Sequence, residues 1–129
     1  MFNGSKSHKD ERIKRAQEWI ELHHGSHISI DEIAETVGLG ARTFKRRFKE
    51  ATGETPIGYL QQVRVEKVKT LLETTITSFS EIIWQAGYED VSSFRRLFKR
   101  EAGCTMEQYR RRFSYSVPTE ISLALAEPA

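Results

Sequence analysis

At 129 residues the chain is long enough for one domain or two very small ones, and with 38% hydrophobic and 29% charged residues it has the balance of an ordinary globular protein. Its single cysteine, Cys104, excludes an intramolecular disulfide and fits a reducing compartment; no apolar run is long enough to span a membrane or to form a signal-peptide core before Asp10, so the expected location is the cytoplasm. The net charge of +2 says little as a sum, and the placement of each Lys and Arg carries more.

Residues 1–8 read as a linker or an expression remnant. Over 9–24 the apolar residues Ile13, Ala16 and Ile20, with Trp19 and Leu22 beside them, recur at helical spacing and predict a helix with a buried stripe, stopped by Gly25 and Ser26. Ser29 followed three residues later by Glu32 is a capping-box signature, and it predicts a short helix that ends at Gly38 in a left-handed conformation. A second helix runs from about Ala41 through Phe44 and Phe48 to Thr52, with Gly53 as its stop. Pro56 is well placed to open the next one, a linking helix over about 56–73 that carries Ile57, Leu60, Val63, Val65, Val68, Leu71 and Leu72.

The pattern then repeats. Ile33 aligns with Ile82 and Gly38 with Gly87 at one offset; after those glycines the offset grows by one residue, so that Phe44 aligns with Phe94, Phe48 with Phe98, Gly53 with Gly103 and Tyr59 with Tyr109. The second copy thus carries one extra residue in its turn, where insertions are best tolerated. The two units lie over about 30–52 and 79–102, within a domain over 9–113. The segment 114–129, with Pro118 and Pro128, reads as a tail with little fixed structure. The fold class predicted is all-α, with about seven helices.

Each repeat is a short helix, a Gly-containing turn and a second helix, the order of a helix-turn-helix. Ala34 supplies the small residue that a close helix crossing favours. On the second helix of the first copy, Phe44, Phe48 and Ala51 share one face, and Arg42, Lys45, Arg46 and Lys49 share the opposite face. In the second copy Val91, Phe94 and Phe98 share the buried face, with Leu97 beside them, and Ser92, Arg95, Arg96 and Lys99 lie opposite. Seven of those eight polar positions are Lys or Arg. A solvated helix face normally mixes its charge signs, so two matched basic faces point to a polyanion partner. Arg can bond guanine in the major groove, and Lys and Arg neutralise phosphates. A linking helix of about 27 Å, at 1.5 Å per residue, has the reach to set two reading helices in successive major grooves of a duplex whose turn is about 34 Å.

These residues carry a family resemblance. Ile33-Ala34 through Gly38, Arg42-Thr43-Phe44 to Phe48-Lys49, the run 52–56, Tyr59-Leu60, Arg64, Leu71-Leu72, Glu81-Ile82, the run 87–90, the run 94–100, Gly103 and Tyr109-Arg110 resemble the DNA-binding domain of the AraC/XylS family of bacterial transcription regulators over about 10–113. The resemblance implies a homeodomain-like, AraC-type architecture. It implies that DNA is read with the third and sixth helices, those starting at Ala41 and Val91, which adds these two residues to the eight above. The partner implied is double-stranded promoter DNA, with RNA polymerase as a further one. The runs 16–20 and 42–48 resemble the branch whose members carry an N-terminal domain like DJ-1/PfpI, which implies an effector or dimerisation domain preceding this chain. Four residues depart from the family pattern: Ile83 stands where a small Ala is usual, Met106 where Pro opens the last helix, Gly40 where Ser caps the first reading helix, and Val91 offers no hydrogen bond at the start of the second.

Other chemistries find little support. Phe44, Phe48, Phe94 and Phe98, together with Trp19 and Trp84, are expected in the core. His23, His24 and His27 have no Cys or carboxylate at zinc-ligand spacing, so no metal is expected, and His suits a helix C-terminus. No phosphate loop, nucleophile elbow or dinucleotide fingerprint occurs, so neither a cofactor nor enzyme activity is expected. The competing reading is a basic helical adaptor that binds an acidic protein; a nonspecific architectural protein would need exposed apolar wedges, which the pattern does not show.

Overall fold

The structure, a computed structural model, describes residues 6–114. The tail expected beyond Ser114 and the first five residues lie outside the described residues. Seven helices make up the described chain: α1 (Glu11–His23), α2 (Ile30–Thr36), α3 (Ala41–Thr52), α4 (Pro56–Thr74), α5 (Phe79–Gln85), α6 (Val91–Ala102) and α7 (Met106–Phe113). The described residues form no strand, in agreement with the all-α expectation. The chain divides into two compact units, with the boundary inside α4 between Glu66 and Lys67.

The first unit closes over one apolar cluster. α1 brings Ile13, Ala16 and Ile20, α2 brings Ile33 and Ala34, α3 brings Phe44 and Phe48, and the start of α4 brings Tyr59, Leu60 and Val63. The ring of Phe48 meets Phe44 edge-on at 5.6 Å and Tyr59 at 5.5 Å, geometries that aromatic quadrupoles favour. In the second unit Val68, Leu72, Ile82, Ile83, Phe94, Leu97, Phe98 and Met106 are buried. A chain of ring contacts links Tyr88 to Phe94, Phe94 to Phe98, Phe98 to Tyr109 and Tyr109 to Phe113.

The turns repeat bond for bond. In the first unit Gly38 N–H donates to Glu35 O and Leu39 N–H to Ala34 O; in the second Gly87 donates to Trp84 O and Tyr88 to Ile83 O. Gly38 and Gly87 hold φ of 73° and 98°, the left-handed region that a side chain disfavours. Ser29 and Glu32 form the expected capping box, at 3.1 and 3.2 Å. Four residues separate α2 from α3 and five separate α5 from α6, which places the extra residue in the second turn.

Two expectations about burial are corrected. Trp84, expected in the core, is 66% exposed. The buried stripe of α5 is Ile82, Ile83 and the capping Ala86, and at 100° per residue position 84 turns away from it. Leu22, expected beside the buried stripe of α1, is 79% exposed, because it stands about 200° around the helix from Ile20. Trp19 is half-buried at the edge of the first core and stacks on His23 at 4.2 Å. The bulky Ile83, in the place of Ala34, is fully buried.

Candidate nucleic-acid interface

The first reading helix, α3, opens at Gly40, whose missing side chain leaves the helix without a side-chain cap. Phe44 and Phe48 anchor its inner face in the core, and this turns Arg42, Lys45, Arg46 and Lys49 to the exposed side; Ala41 at its start is half-buried. A fifth cation, Arg47, faces another way. Its Nη2 donates to Asp10 Oδ1 at 2.8 Å and its Nε to Oδ2 at 3.1 Å, so it serves as a strut between α3 and the segment before α1. Burial pushes the Asp10 carboxyl up, but the Arg47 guanidinium and the Ile13 amide outweigh it and hold the group below its ordinary 3.8.

The second reading helix, α6, is capped by Asp90, whose carboxylate accepts from Ser93 N–H at 3.0 Å. That backbone bond, with the Ser93 hydroxyl next in weight, lowers the Asp90 pKa. Phe94, Leu97 and Phe98 face inward, Ser92, Arg96 and Lys99 are exposed, and Val91 is half-buried. Leu97 stands in the repeat position of Arg47, so the second unit fills with an apolar contact the place where the first uses an ion pair. Arg95 is held by α7: its Nη1 donates to both Glu107 oxygens, at 2.8 and 3.0 Å. Its guanidinium also lies 5.3 Å from the centre of the Phe79 ring. The bond from Arg95 is the main reason the Glu107 carboxyl titrates below its ordinary 4.5.

The structure therefore turns outward seven of the ten residues expected to bind DNA, namely Arg42, Lys45, Arg46, Lys49, Ser92, Arg96 and Lys99. Ala41, Val91 and Arg95 are half-buried. Sequence reasoning missed the residues that set these helices in place. In both units a partly buried Tyr–Glu hydrogen bond ties the helix after the reading helix to the helix that precedes the helix-turn-helix. Tyr59 donates to Glu21 at 2.5 Å, and Tyr109 donates to Glu73. Burial, and then the Glu21 carboxylate, push the Tyr59 pKa far up. The signal was present in the chain: Ile13, Ala16, Ile20 and Glu21 match Val65, Val68, Leu72 and Glu73 at one constant offset, so α1 repeats as the later part of α4. Arg64 closes the loop after α1 by donating to His24 O at 2.9 Å and Ser26 O at 3.1 Å. His23 and His24 bond backbone carbonyls of their own helix, and no group of three or more His, Cys, Asp or Glu among the described residues is placed to hold a metal ion.

Two small helical units, each presenting a basic helix after a glycine turn, define the class of double helix-turn-helix proteins. The match to known proteins names the family. Residues 33–112 match the family model described as a helix-turn-helix domain, and the chain belongs to that family, as a domain of AraC type. It is 33% identical over 101 residues to the HTH-type transcriptional activator RhaS of Enterobacter sp. (strain 638), a match that covers 78% of this chain and 36% of that protein. The chain thus spans about a third of the length of the curated relatives it matches. Among solved structures it is similar to the C-terminal domain of AraT, a response regulator from Geobacillus stearothermophilus, with a TM-score of 0.80 and 28% identity over 85% of this chain and 92% of that one. It is also similar to the DNA-binding domain of the global transcriptional factor AdpA, solved in complex with a target DNA, with a TM-score of 0.75 and 27% identity over 79% of this chain and 92% of that one. The relatives are bacterial transcription regulators rather than enzymes.

Proposed function

We propose that this chain is the DNA-binding part of a bacterial transcription regulator, and that α3 and α6 each enter a major groove of promoter DNA, successive ones along a duplex. The observation that carries the reading is the pair of matched helix faces, Arg42, Lys45, Arg46 and Lys49 on one and Ser92, Arg96 and Lys99 on the other, exposed in the same place of a repeated fold. Ala41, Val91 and Arg95 complete the contact set. The target DNA bound by AdpA supports the same chemistry here. In the whole protein we place an effector or dimerisation domain of the DJ-1/PfpI-like kind before this chain. The similarity of the runs 16–20 and 42–48 to that branch, and the share of its relatives that the chain spans, support the placement. RNA polymerase is the further partner and the cytoplasm the location; no helix among the described residues is long and apolar enough to cross a membrane.

Selection of this chain against a randomised duplex library at two salt concentrations tests the reading. The expected result is one enriched motif with two half-sites about one turn apart and a steep fall of affinity with salt. Arg46→Ala and Arg96→Ala should each relax base preference in a different half-site, by about tenfold where a bidentate bond to a base is removed. No enrichment over random duplex would overturn it.

A further inference from the structure

The two reading helices differ in how they hold the cation at their matching central position. In the first unit that residue is Lys45, which is exposed, and the residue in the repeat position of Glu107 is Ile57, which bonds nothing through its side chain. In the second unit it is Arg95, and two groups hold its guanidinium. Glu107 takes both of its carboxylate oxygens to one nitrogen, Nη1, at 2.8 and 3.0 Å. The Phe79 ring lies 5.3 Å from Cζ. Arg110 packs on the same ring at 5.1 Å, and its Nε reaches Leu72 O at 3.4 Å, which ties the ring to the end of α4. With Nη1 engaged, the Nε–H and Nη2–H donors along the other edge of the planar fork remain for a ligand, and a two-donor edge is what matches guanine O6 and N7. A long side chain held in one geometry also loses less conformational freedom on binding than a free one.

We propose that Glu107 is a positioning residue that sets Arg95 to read a guanine, and is thereby a determinant of base preference in the half-site bound by α6. This rests on the reading of α6 as a groove-entering helix. The Glu107 carboxylate is ionised at neutral pH, as the arrangement requires, and the bond from Arg95 lowers its pKa further. Lys45, exposed in the matching place, ends in a single ammonium without the two-donor edge of a guanidinium, so the second unit discriminates more sharply at this position than the first.

The test compares the chain with Glu107→Gln, Arg95→Lys and Arg95→Ala in duplex-library selection, and then measures binding to the enriched duplex and to copies with each guanine replaced. Glu107 is an exposed side chain, and circular dichroism checks that each variant keeps its helices. The expected result for Glu107→Gln is about a tenfold loss of preference at a single guanine position, with the other half-site unchanged. Arg95→Lys should lose preference at the same position although the charge is kept. On the Arg95→Ala background, Glu107→Gln should have no further effect there, as coupling between the two residues demands. An unchanged motif with a uniform rise in affinity for every duplex would show that Glu107 only repels phosphate and would overturn the proposal. Loss of preference at several positions, or an undiminished effect of Glu107→Gln in the Arg95→Ala background, would also overturn it. If the unmodified chain enriches no motif, the failure belongs to the reading of α6 itself, and the proposal falls with it.

Discussion

Asp10 accepts from the Ile13 amide at the start of α1 and from Arg47 on α3, so one carboxylate serves both as helix cap and as strut between two elements. Asp10→Ala removes both roles and should lower unfolding stability by about 1–3 kcal/mol, read from urea midpoints. Three carboxylates share its electrostatic direction, since Asp10, Asp90 and Glu107 all titrate below their ordinary 3.8, 3.8 and 4.5. Because the folded value lies below the unfolded one, each contributes stability that is present above the unfolded pKa and is lost as pH falls through the folded pKa. Stability from these groups should be constant above about pH 5 and decline below about pH 4. Asp10→Asn should flatten that acid limb, and an unchanged limb in a urea series at stepped pH would remove Asp10 from the account. The apolar residues were legible one by one from helical spacing, whereas the long-range polar pairs were not. Helical spacing sets Arg47 apart from Arg46, which faces solvent, but nothing in local sequence names Asp10 as its partner.

At the scale of the element, the helix stops were legible because they are backbone facts. Gly53 and Gly103 end the two reading helices with φ of 80°, and a Cβ at either would meet nothing within 4 Å. The cost of Gly103→Ala is therefore that of the left-handed backbone alone, about 1–2 kcal/mol, and thermal unfolding should show it as a lower midpoint with the helix content kept. Gly40 is the opposite case. It holds φ −68° and ψ 153°, open to any residue, with room for a Cβ, and it leaves α3 uncapped where Asp90 caps α6. Gly40→Ser should raise stability by about 0.5–1 kcal/mol, through a cap oxygen and a stiffer unfolded chain. A lower urea midpoint for this variant would show that the groove-facing end of α3 requires its bare backbone. The exposure of Trp84 escaped sequence reasoning because a seven-residue helix makes fewer than two full turns, so its few apolar residues do not outline a face.

Taken whole, the molecule has a separate core in each of two units, and α4 contributes to both. Phe44→Ala empties a fully buried site in the first core and should cost about 3–5 kcal/mol. Amide hydrogen exchange should report it first across α1, α2 and α3, with the amides of α6 losing less protection; equal loss throughout would mean that the two cores melt as one. The salt dependence of DNA binding belongs to this scale as well, because it sums the phosphates neutralised by both units. Lys49→Ala and Lys99→Ala together should reduce the slope of log K against log salt by about 2, near 0.9 for each phosphate no longer neutralised.

What the amino-acid sequence determined by itself was the repeat: two short helices with glycine turns, two inner faces of phenylalanine and two outer faces of Lys and Arg. Those features are periodic along one chain, and helical geometry converts the period directly into a face. The structure alone decided which cations are tied to carboxylates on other elements. Arg47 is drawn to Asp10 and Arg95 to Glu107, and each partner lies on another element, so only folding brings the charges within bonding distance. It also disclosed that α1 recurs as the later part of α4, through the Tyr59–Glu21 and Tyr109–Glu73 bonds. In sequence that repeat shows only as a constant offset of a few residues, because the second copy continues a helix begun by the first unit.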